Sequence, residues 1–395
     1  MRIKILAIII IAVSAVFPTD FYEADSLGMR RGGDGELTTN IEEIADKLDL
    51  TALEEFLSNL TEQQKSFLGG VSAKDFIKKI IAGDAIDLNS IFGFILSALG
   101  ANAKTFLPLM LALIAVAIAY NVINSMKGKF ASDSVESIVR FACMGITLIL
   151  LITQVYFVIN SAVGMLNSLK AQTEIIFPIL LTLMTAIGAG ASVSVYRPAV
   201  IVFASGMINL ITTIAIPLFL ISVVFTAVGS LSSGVKLKEM SSFFSTVSKW
   251  VLNTSFFLFM AFLSIQGITA SVYDGISIRT TKFALSKYVP VIGGYLSEGF
   301  NLIMAGSVLI KNSLGLTAIL ILLFTVLPYV IQIVLLSLTL RLTAAITEPL
   351  GSSEISGVVG GFGKNINLLV AMILGVGFLY FVFILLIIAT GNLSL

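Results

Sequence analysis

The sequence predicts an all-α protein that crosses a membrane several times. Of its 395 residues, 57% are hydrophobic and only 12% are charged, whereas soluble domains carry about 25% charged residues. The mean hydropathy is +1.02. Several apolar runs exceed the roughly 18 residues that indicate a membrane-spanning helix. Together these observations indicate a polytopic helical membrane protein.

The first 24 residues have the pattern of a signal peptide. Arg2 and Lys4 precede an apolar stretch of about a dozen residues, which is short for a membrane span. Ala15 and Ala24 are both candidate cleavage positions, so the sequence does not fix the site. An uncleaved signal anchor is the alternative. A cleaved peptide would leave the mature chain starting outside the cytoplasm.

Residues 25–87 are predicted to form a small extracytoplasmic helical domain. They contain 13 acidic and seven basic residues, whereas residues 88–395 contain eight acidic and 15 basic residues. Ser72 followed by Asp75 indicates the start of a helix that continues through Ile80. A domain of about 60 residues is marginal alone, so we expect it to pack against the membrane part or a partner.

Residues 88–395 are predicted to form the membrane domain. Six long apolar segments are candidate spans, at about 106–126, 138–160, 199–229, 251–272, 314–340 and 366–391. Two weaker segments, 172–190 and 289–310, lie between strong ones, and both are interrupted by proline and glycine.

The weak segments indicate a tandem repeat of about 110 residues. Pro178 and Pro290 are 112 positions apart, and Pro217 and Pro328, each midway along the following helix, are 111 apart. The linker KEMSSFFSTVSKW also resembles SEISGVVGGFGKN. Matching prolines and linkers that recur at one fixed separation in the sequence favour an internal duplication. The predicted units are repeat 1 at about 138–229, repeat 2 at about 250–340 and a final helix at 366–391.

Basic residues predict the topology. The residues that flank the three hairpins are Lys127, Lys129 and Arg140, then Lys236, Lys238 and Lys249, then Lys364 with Arg341. The positive-inside rule places all three hairpins in the cytoplasm. Each repeat then needs an even number of crossings, so the weak segments are expected to be re-entrant. Three crossings per unit, which would give inverted repeats, is the alternative.

The hairpins offer a candidate cytoplasmic coupling surface. Its residues are Lys127, Lys129, Arg140, Lys236, Lys238, Lys249, Glu354 and Lys364. The linker at 238–250 is amphipathic, so it either lies flat on the membrane or presents this surface to a cytoplasmic partner.

Broken helices at matching places in two repeats are the best sequence indication of a transport path. The candidate pore or gate residues are Glu174, Pro178, Gly188, Gly190, Arg197, Pro217, Pro290, Gly293, Gly294, Glu298 and Pro328. Ionisable groups near lipid are costly unless they are paired or face a cavity. Interfacial snorkelling is the alternative for Glu174 and Arg197, and simple packing is the alternative for Pro217 and Pro328.

The composition argues against an enzyme, a metal site and a bound cofactor. The chain has no histidine, and its single Cys143 lies in an apolar run, which removes imidazole chemistry and makes a thiolate site improbable. The stretch GVVGGFGKN lacks the residues of a phosphate-binding loop, so any ATPase must be a separate chain. The charge distribution does not indicate a nucleic-acid partner.

The chain resembles the stage III sporulation protein AE family of endospore-forming Firmicutes. The resemblance rests on the signal peptide, the short helical domain, QTEIIFPILLTLMTAIGAGASVSVYRP at 172–198, the helices downstream and the linker LKEMSSFFSTVSKW. It implies a role in the mother cell, in the membrane around the engulfed forespore. It also implies a complex with a cytoplasmic ATPase, small membrane proteins and ring-forming proteins. That complex is thought to form a channel that supports late forespore transcription.

Two hypotheses follow. The first is a multispanning component of this sporulation channel or secretion complex. The second is a self-sufficient secondary transporter or ABC-type permease for small solutes, because the family has been likened to permeases and the repeats fit both.

Overall fold

A computed structural model describes residues 50–59, 65, 72–81, 88–125, 133–231, 237–288 and 293–390. Every regular element in these ranges is a helix, which confirms the predicted fold class. The predicted signal peptide and four candidate site residues, Lys127, Lys129, Lys236 and Pro290, lie outside the described residues.

Nine helices are used in the description below. They are α1 Thr51–Ser58, α2 Ala73–Ile81, α3 Leu88–Ser125, α4 Asp133–Ala186, α5 from Gly190 to Leu231, α6 Lys238–Tyr288, α7 Gly293–Thr347, α8 Ser353–Asn365 and α9 Asn367–Ala389. Within α5, two wider π-helical stretches, Val202–Met207 and Ile211–Ala215, interrupt the α-helical geometry. The second ends just before Pro217, whose missing N–H removes one helical hydrogen bond.

Six helical stretches in the described residues are long and apolar enough to cross a membrane. They are Ile91–Ser125, Ser137–Ala186, Gly190–Ser230, Lys238–Ile265, Gly306–Thr347 and Ser353–Ala389. Each contains or overlaps one of the six predicted spans, so the multi-pass character is confirmed. The tandem duplication stays a prediction.

Contacts between side chains fix the helix directions. Ser248 donates a hydrogen bond to the carbonyl of Ala215, and Ser222 donates to Ser241, so α5 and α6 are antiparallel. By the same argument α7 is antiparallel to α8 and α9. In contrast, α3 is parallel to α7, because Phe94 contacts Phe324 near one end and Ser352 bonds Ala117 near the other.

These directions bring three helix–helix connections to one end of the bundle. The helices α3, α5 and α7 end there, and α4, α6 and α8 begin there. We call this end the basic end, and the opposite end, where α4 turns into α5 and α9 finishes, the far end. The predicted topology requires the three basic hairpins to lie at the same end of the bundle. Their placement in the cytoplasm stays a prediction.

The expectation of separate re-entrant segments is wrong. Residues 172–186 continue α4 through Pro178, and residues 293–310 belong to α7. An interior proline frees only one carbonyl, and Pro178 lies on the exposed side of the helix. Apolar residues at helical spacing are buried on both sides of Pro178: Leu169, Ile176, Phe177, Leu180, Leu183 and Met184. Because this buried stripe packs against the other helices on both sides of Pro178, α4 continues where the local sequence indicates a break.

The chain reverses direction at Ile187–Ala189 rather than at proline. Gly188 has φ of 82°, in the left-handed region that side chains adopt only at a cost. The amide of Ala189 donates to the carbonyl of Met184, which closes the end of α4. Glycine therefore sets the turn between α4 and α5.

The helices α1 and α2 pack on this bundle. Ser72 caps α2, because its hydroxyl accepts a hydrogen bond from the amide of Asp75 at 3.1 Å, as the sequence predicts. Leu53 and Ile77 join the main apolar core. Phe76 packs against Leu320 of α7. Part of the predicted N-terminal domain therefore contacts the membrane bundle directly.

Gly188→Ala is expected to lower the free energy of unfolding by about 1–2 kcal/mol, because alanine is strained at this φ. Gly190→Ala is the matched control: it lies two residues away, in a helix, with nothing within 4 Å of an added Cβ. Thermal unfolding of the purified protein in detergent compares the two. Equal stability of both variants would contradict the assigned turn.

Candidate functional site

A charged cluster joins three helices at the basic end. Arg140 on α4 lies 2.7 Å from Glu354 on α8, measured from Nη2 to Oε1. The hydroxyl of Tyr120 on α3 donates to the other carboxylate oxygen at 3.4 Å. The two charged side chains are 45% and 37% exposed, so solvent weakens the pair to about 0.2–1 kcal/mol. The cluster orients Arg140 and Glu354 rather than supplying much stability.

The other described residues of the predicted coupling surface are solvent-accessible. Lys238, Lys249 and Lys364 are all exposed. Lys238 begins α6, Lys249 lies about three turns further along it, and Lys364 lies in the last turn of α8. The described basic end therefore presents cations that a partner can reach.

Residues 238–250 do not form a separate helix in the membrane plane. They are the first turns of α6 and run along α5, where Phe225 and Phe244 stack with ring centroids 5.5 Å apart. Ser241 lies 2.7 Å from the hydroxyl of Thr226, and Asn365 of α8 also donates to Thr226. These hydroxyl contacts hold the α5–α6 hairpin and α8 together.

Five of the candidate pore residues lie outside the interior of the chain. Glu174, Pro178, Gly190, Arg197 and Pro217 are exposed on the outside of the bundle, on α4 and α5.

The remaining gate candidates lie in other parts of the fold. Gly188 is half-buried in the turn, Pro328 is half-buried in α7, and Gly293, Gly294 and Glu298 belong to the first turns of α7. A gating role for the full set stays a prediction.

Aromatic side chains fill the interior towards the far end. Phe383 of α9 lies at the centre, with its ring centroid 4.6 Å from that of Phe177, 6.3 Å from Phe203 and 6.1 Å from Phe259. Tyr380 contacts Phe177 and Phe203 as well. We call these five residues the aromatic layer. They come from α4, α5, α6 and α9, and they close the space between those helices.

A buried lysine near the far end fixes the end of α9. Lys311 of α7 has no exposed surface, and its ammonium group donates to the carbonyls of Ile388, at 3.0 Å, and Thr390. These are terminal carbonyls of α9, where a cation also meets the negative end of the helix dipole. Gly315, one turn further along α7, permits the close approach, because an added Cβ would lie 2.5 Å from Ile388.

One protein family matches most of the chain. The sequence pattern of the family described as Stage III sporulation protein AE (spore_III_AE) matches residues 71–391. The chain belongs to this family. It is 23% identical to Stage III sporulation protein AE of Bacillus subtilis (strain 168) over 359 residues, covering 90% of this chain and 89% of that protein. No solved structure matches.

The family match includes every described site residue named above. Sequence reasoning identified Arg140 and Glu354 from their positions beside hairpins, but it missed their pairing. It also missed Lys311. A lysine inside a long apolar stretch is itself a signal of a paired or functional group, and that signal was present in the sequence.

Lys311→Met is expected to lower the free energy of unfolding by about 1–3 kcal/mol, because two carbonyls at the end of α9 lose their donor. Tyr380→Phe is the matched control, since within the described residues the buried Tyr380 hydroxyl has no hydrogen-bond partner. It should be neutral or slightly stabilising. Thermal unfolding in detergent checks both, and an unfolding temperature of the methionine variant equal to wild type would refute the capping role.

Proposed function

We propose that this chain is a multispanning component of the channel or secretion complex that links the mother cell to the forespore during sporulation. Its role is to support forespore activity and late forespore gene expression. It lies in the mother-cell membrane around the forespore, with the N-terminal domain outside the cytoplasm. It is not an enzyme and carries no cofactor.

The observation that supports this proposal best is the basic end of a bundle that belongs to a sporulation family. The basic end carries the exposed cations Lys238, Lys249 and Lys364 and the oriented pair Arg140–Glu354. Exposed charges steer a partner of complementary charge and suppress wrong partners. Because the sequence has no phosphate-binding loop, an ATPase that energises transport acts in trans. In this proposal the basic end is the docking surface of that ATPase or of an adaptor.

The far end and the lipid-facing sides serve the other partners. The N-terminal helix α2 packs on α7, and α1 packs on α4. In this proposal these two helices meet ring-forming proteins in the intermembrane space. Neighbouring membrane proteins of the complex contact the apolar flanks of the bundle. The self-sufficient transporter stays the second hypothesis, and it differs in requiring none of these partners.

Charge reversal at the basic end tests the proposal. Lys249→Glu combined with Lys364→Glu is expected to reduce the co-purification of the secretion-type ATPase about tenfold, at about 0.2–1 kcal/mol for each lost or repelled charge. The number of heat-resistant spores should fall with it. Tagged full-length protein, expressed from its own locus in sporulating cells and solubilised in mild detergent, provides the measurement.

Lys104→Glu is the control, because Lys104 is exposed on α3 roughly 30 Å from its basic end, at 1.5 Å per residue. It should leave both readouts unchanged. Unchanged co-purification and spore numbers in the double reversal, at equal membrane levels, would contradict the coupling role of the basic end and favour a self-sufficient transporter.

A further inference from the structure

The helix α8 is built from residues that favour a helix poorly. Four of its 13 residues are glycines: Gly357, Gly360, Gly361 and Gly363. In contrast, two of the 54 residues of α4 are glycines. Glycine loses more backbone entropy in a helix interior than any other residue. The sequence of α8 therefore does not favour a helix by itself, and packing on its neighbours must stabilise it.

Close packing explains two of these four glycines. A Cβ added to Gly363 would lie 3.2 Å from the Cβ of Leu340 on α7, and a Cβ added to Gly360 would lie 3.4 Å from that of an alanine on α7. At Gly357 and Gly361, an added Cβ would have nothing within 4 Å. Alanine would fit at both positions and would favour the helix. Packing within the described chain thus gives no reason for glycine at these two places.

The outer face of α8 meets water rather than lipid. All 13 residues of this helix are described, and the exposed ones are Ser353, Gly357 and Lys364. None of the exposed large apolar side chains of the protein belongs to α8. Water can form hydrogen bonds with the backbone of a helix that opens, whereas lipid cannot. Opening of α8 is therefore not prevented by its surroundings.

The helix α8 is a separate segment of the backbone. Gly351 before it has φ of 83°, and Ile366 is a turn residue between α8 and α9. Near the two ends, Ser356 donates a hydrogen bond to an α7 carbonyl at 2.9 Å, and the carbonyl of Gly363 accepts one from an α7 hydroxyl at 2.8 Å. Contiguous segments of low intrinsic stability open locally as units. The helix α8 can therefore open while α7 and α9 remain folded.

Opening of α8 separates the charged pair at the basic end. Arg140 lies on α4 and Glu354 lies in the first turn of α8, so their contact at 2.7 Å requires α8 to be closed. A guanidinium group that is released from one carboxylate can bind another through two parallel hydrogen bonds. A partner that binds the released Arg140 binds only the open form, and it therefore shifts the equilibrium towards that form.

We propose that α8 is a latch at the basic end, which opens locally and thereby releases Arg140 for an acidic group of the docking partner. The proposal rests on the coupling function proposed above and names the device that regulates it. Glycine at positions 357 and 361 keeps the closed helix weak enough to open when the partner binds.

Hydrogen exchange of the full-length protein in detergent tests the movement. The amides of α8 should exchange at least tenfold faster than those of residues 337–347, in the adjacent last turns of α7. Gly357→Ala combined with Gly361→Ala should slow the exchange of α8 at least tenfold, because alanine favours the closed helix.

Gly100→Ala combined with Gly145→Ala is the matched control for the exchange measurement. These glycines lie in α3 and α4, and an added Cβ has nothing within 4 Å there either. The control pair should leave the exchange of α8 unchanged. Exchange of α8 as slow as that of α7 in the wild-type protein, or unchanged exchange after the two substitutions in α8, would overturn the proposal.

Capture of the ATPase in sporulating cells tests the release of Arg140. The variant with both alanines in α8 should co-purify about tenfold less ATPase than the wild-type protein, whereas the control pair should match the wild type. Adding Glu354→Gln to the two alanines should restore capture, because glutamine has no charge to hold Arg140 in the closed helix. If glutamine does not restore capture, the release of Arg140 is refuted.

The two measurements separate this inference from the proposed function. Hydrogen exchange needs neither the ATPase nor spore formation, so it shows whether α8 opens in any case. Absence of capture by the wild-type protein would contradict the proposed function, and the latch with it. Unchanged capture by the variant with both alanines in α8, at slowed exchange, would contradict the latch alone.

Discussion

The structure depends on one constraint: lipid offers no hydrogen-bond partner to the backbone N–H and C=O groups that an interrupted helix leaves unpaired. The chain meets this constraint with very long helices, of which α4, with 54 residues, would extend about 80 Å. Prolines are tolerated inside these helices, because each frees only one carbonyl and the buried apolar stripe continues past it. Within the described residues, the chain reverses direction only at the two ends of the bundle. At the far end Gly188 makes the turn, and the terminal carbonyls of α9 receive the ammonium group of Lys311.

The interior, the ends and the exposed sides of the bundle carry different kinds of residue. The interior towards the far end is closed by the aromatic layer. The basic end carries exposed lysines and the Arg140–Glu354 pair. The exposed side chains of α4 are mainly large and apolar as far as Phe157, whereas Asn160, Asn167 and Glu174 are exposed beyond it. The proposed coupling surface and this polar face are therefore different surfaces of one bundle.

The sequence predicts the features that depend on local composition, and it fails where contacts between distant segments decide. The six apolar spans and the common end of the basic hairpins follow from hydropathy and charge. The continuity of α4 through Pro178 does not, because it depends on packing that buries Phe177 and Leu180 against other helices. The pairing of Arg140 with Glu354 is likewise a long-range contact. The sequence makes Pro178 and Glu174 candidate pore residues, and only the structure shows that both are exposed on the bundle surface.

The measurement that tests this account most directly is solvent accessibility along α4 in the Cys143→Ser protein in lipid vesicles. Nitroxide labels at successive positions from Phe141 to Thr185 report collisions with oxygen, which concentrates in lipid, and with a water-soluble nickel chelate. The account predicts one helical period of about 3.6 residues that continues past Pro178, with the exposed positions changing from oxygen-accessible to nickel-accessible near Asn160. A period that ends at Pro178, or oxygen access along the whole exposed face, would contradict it.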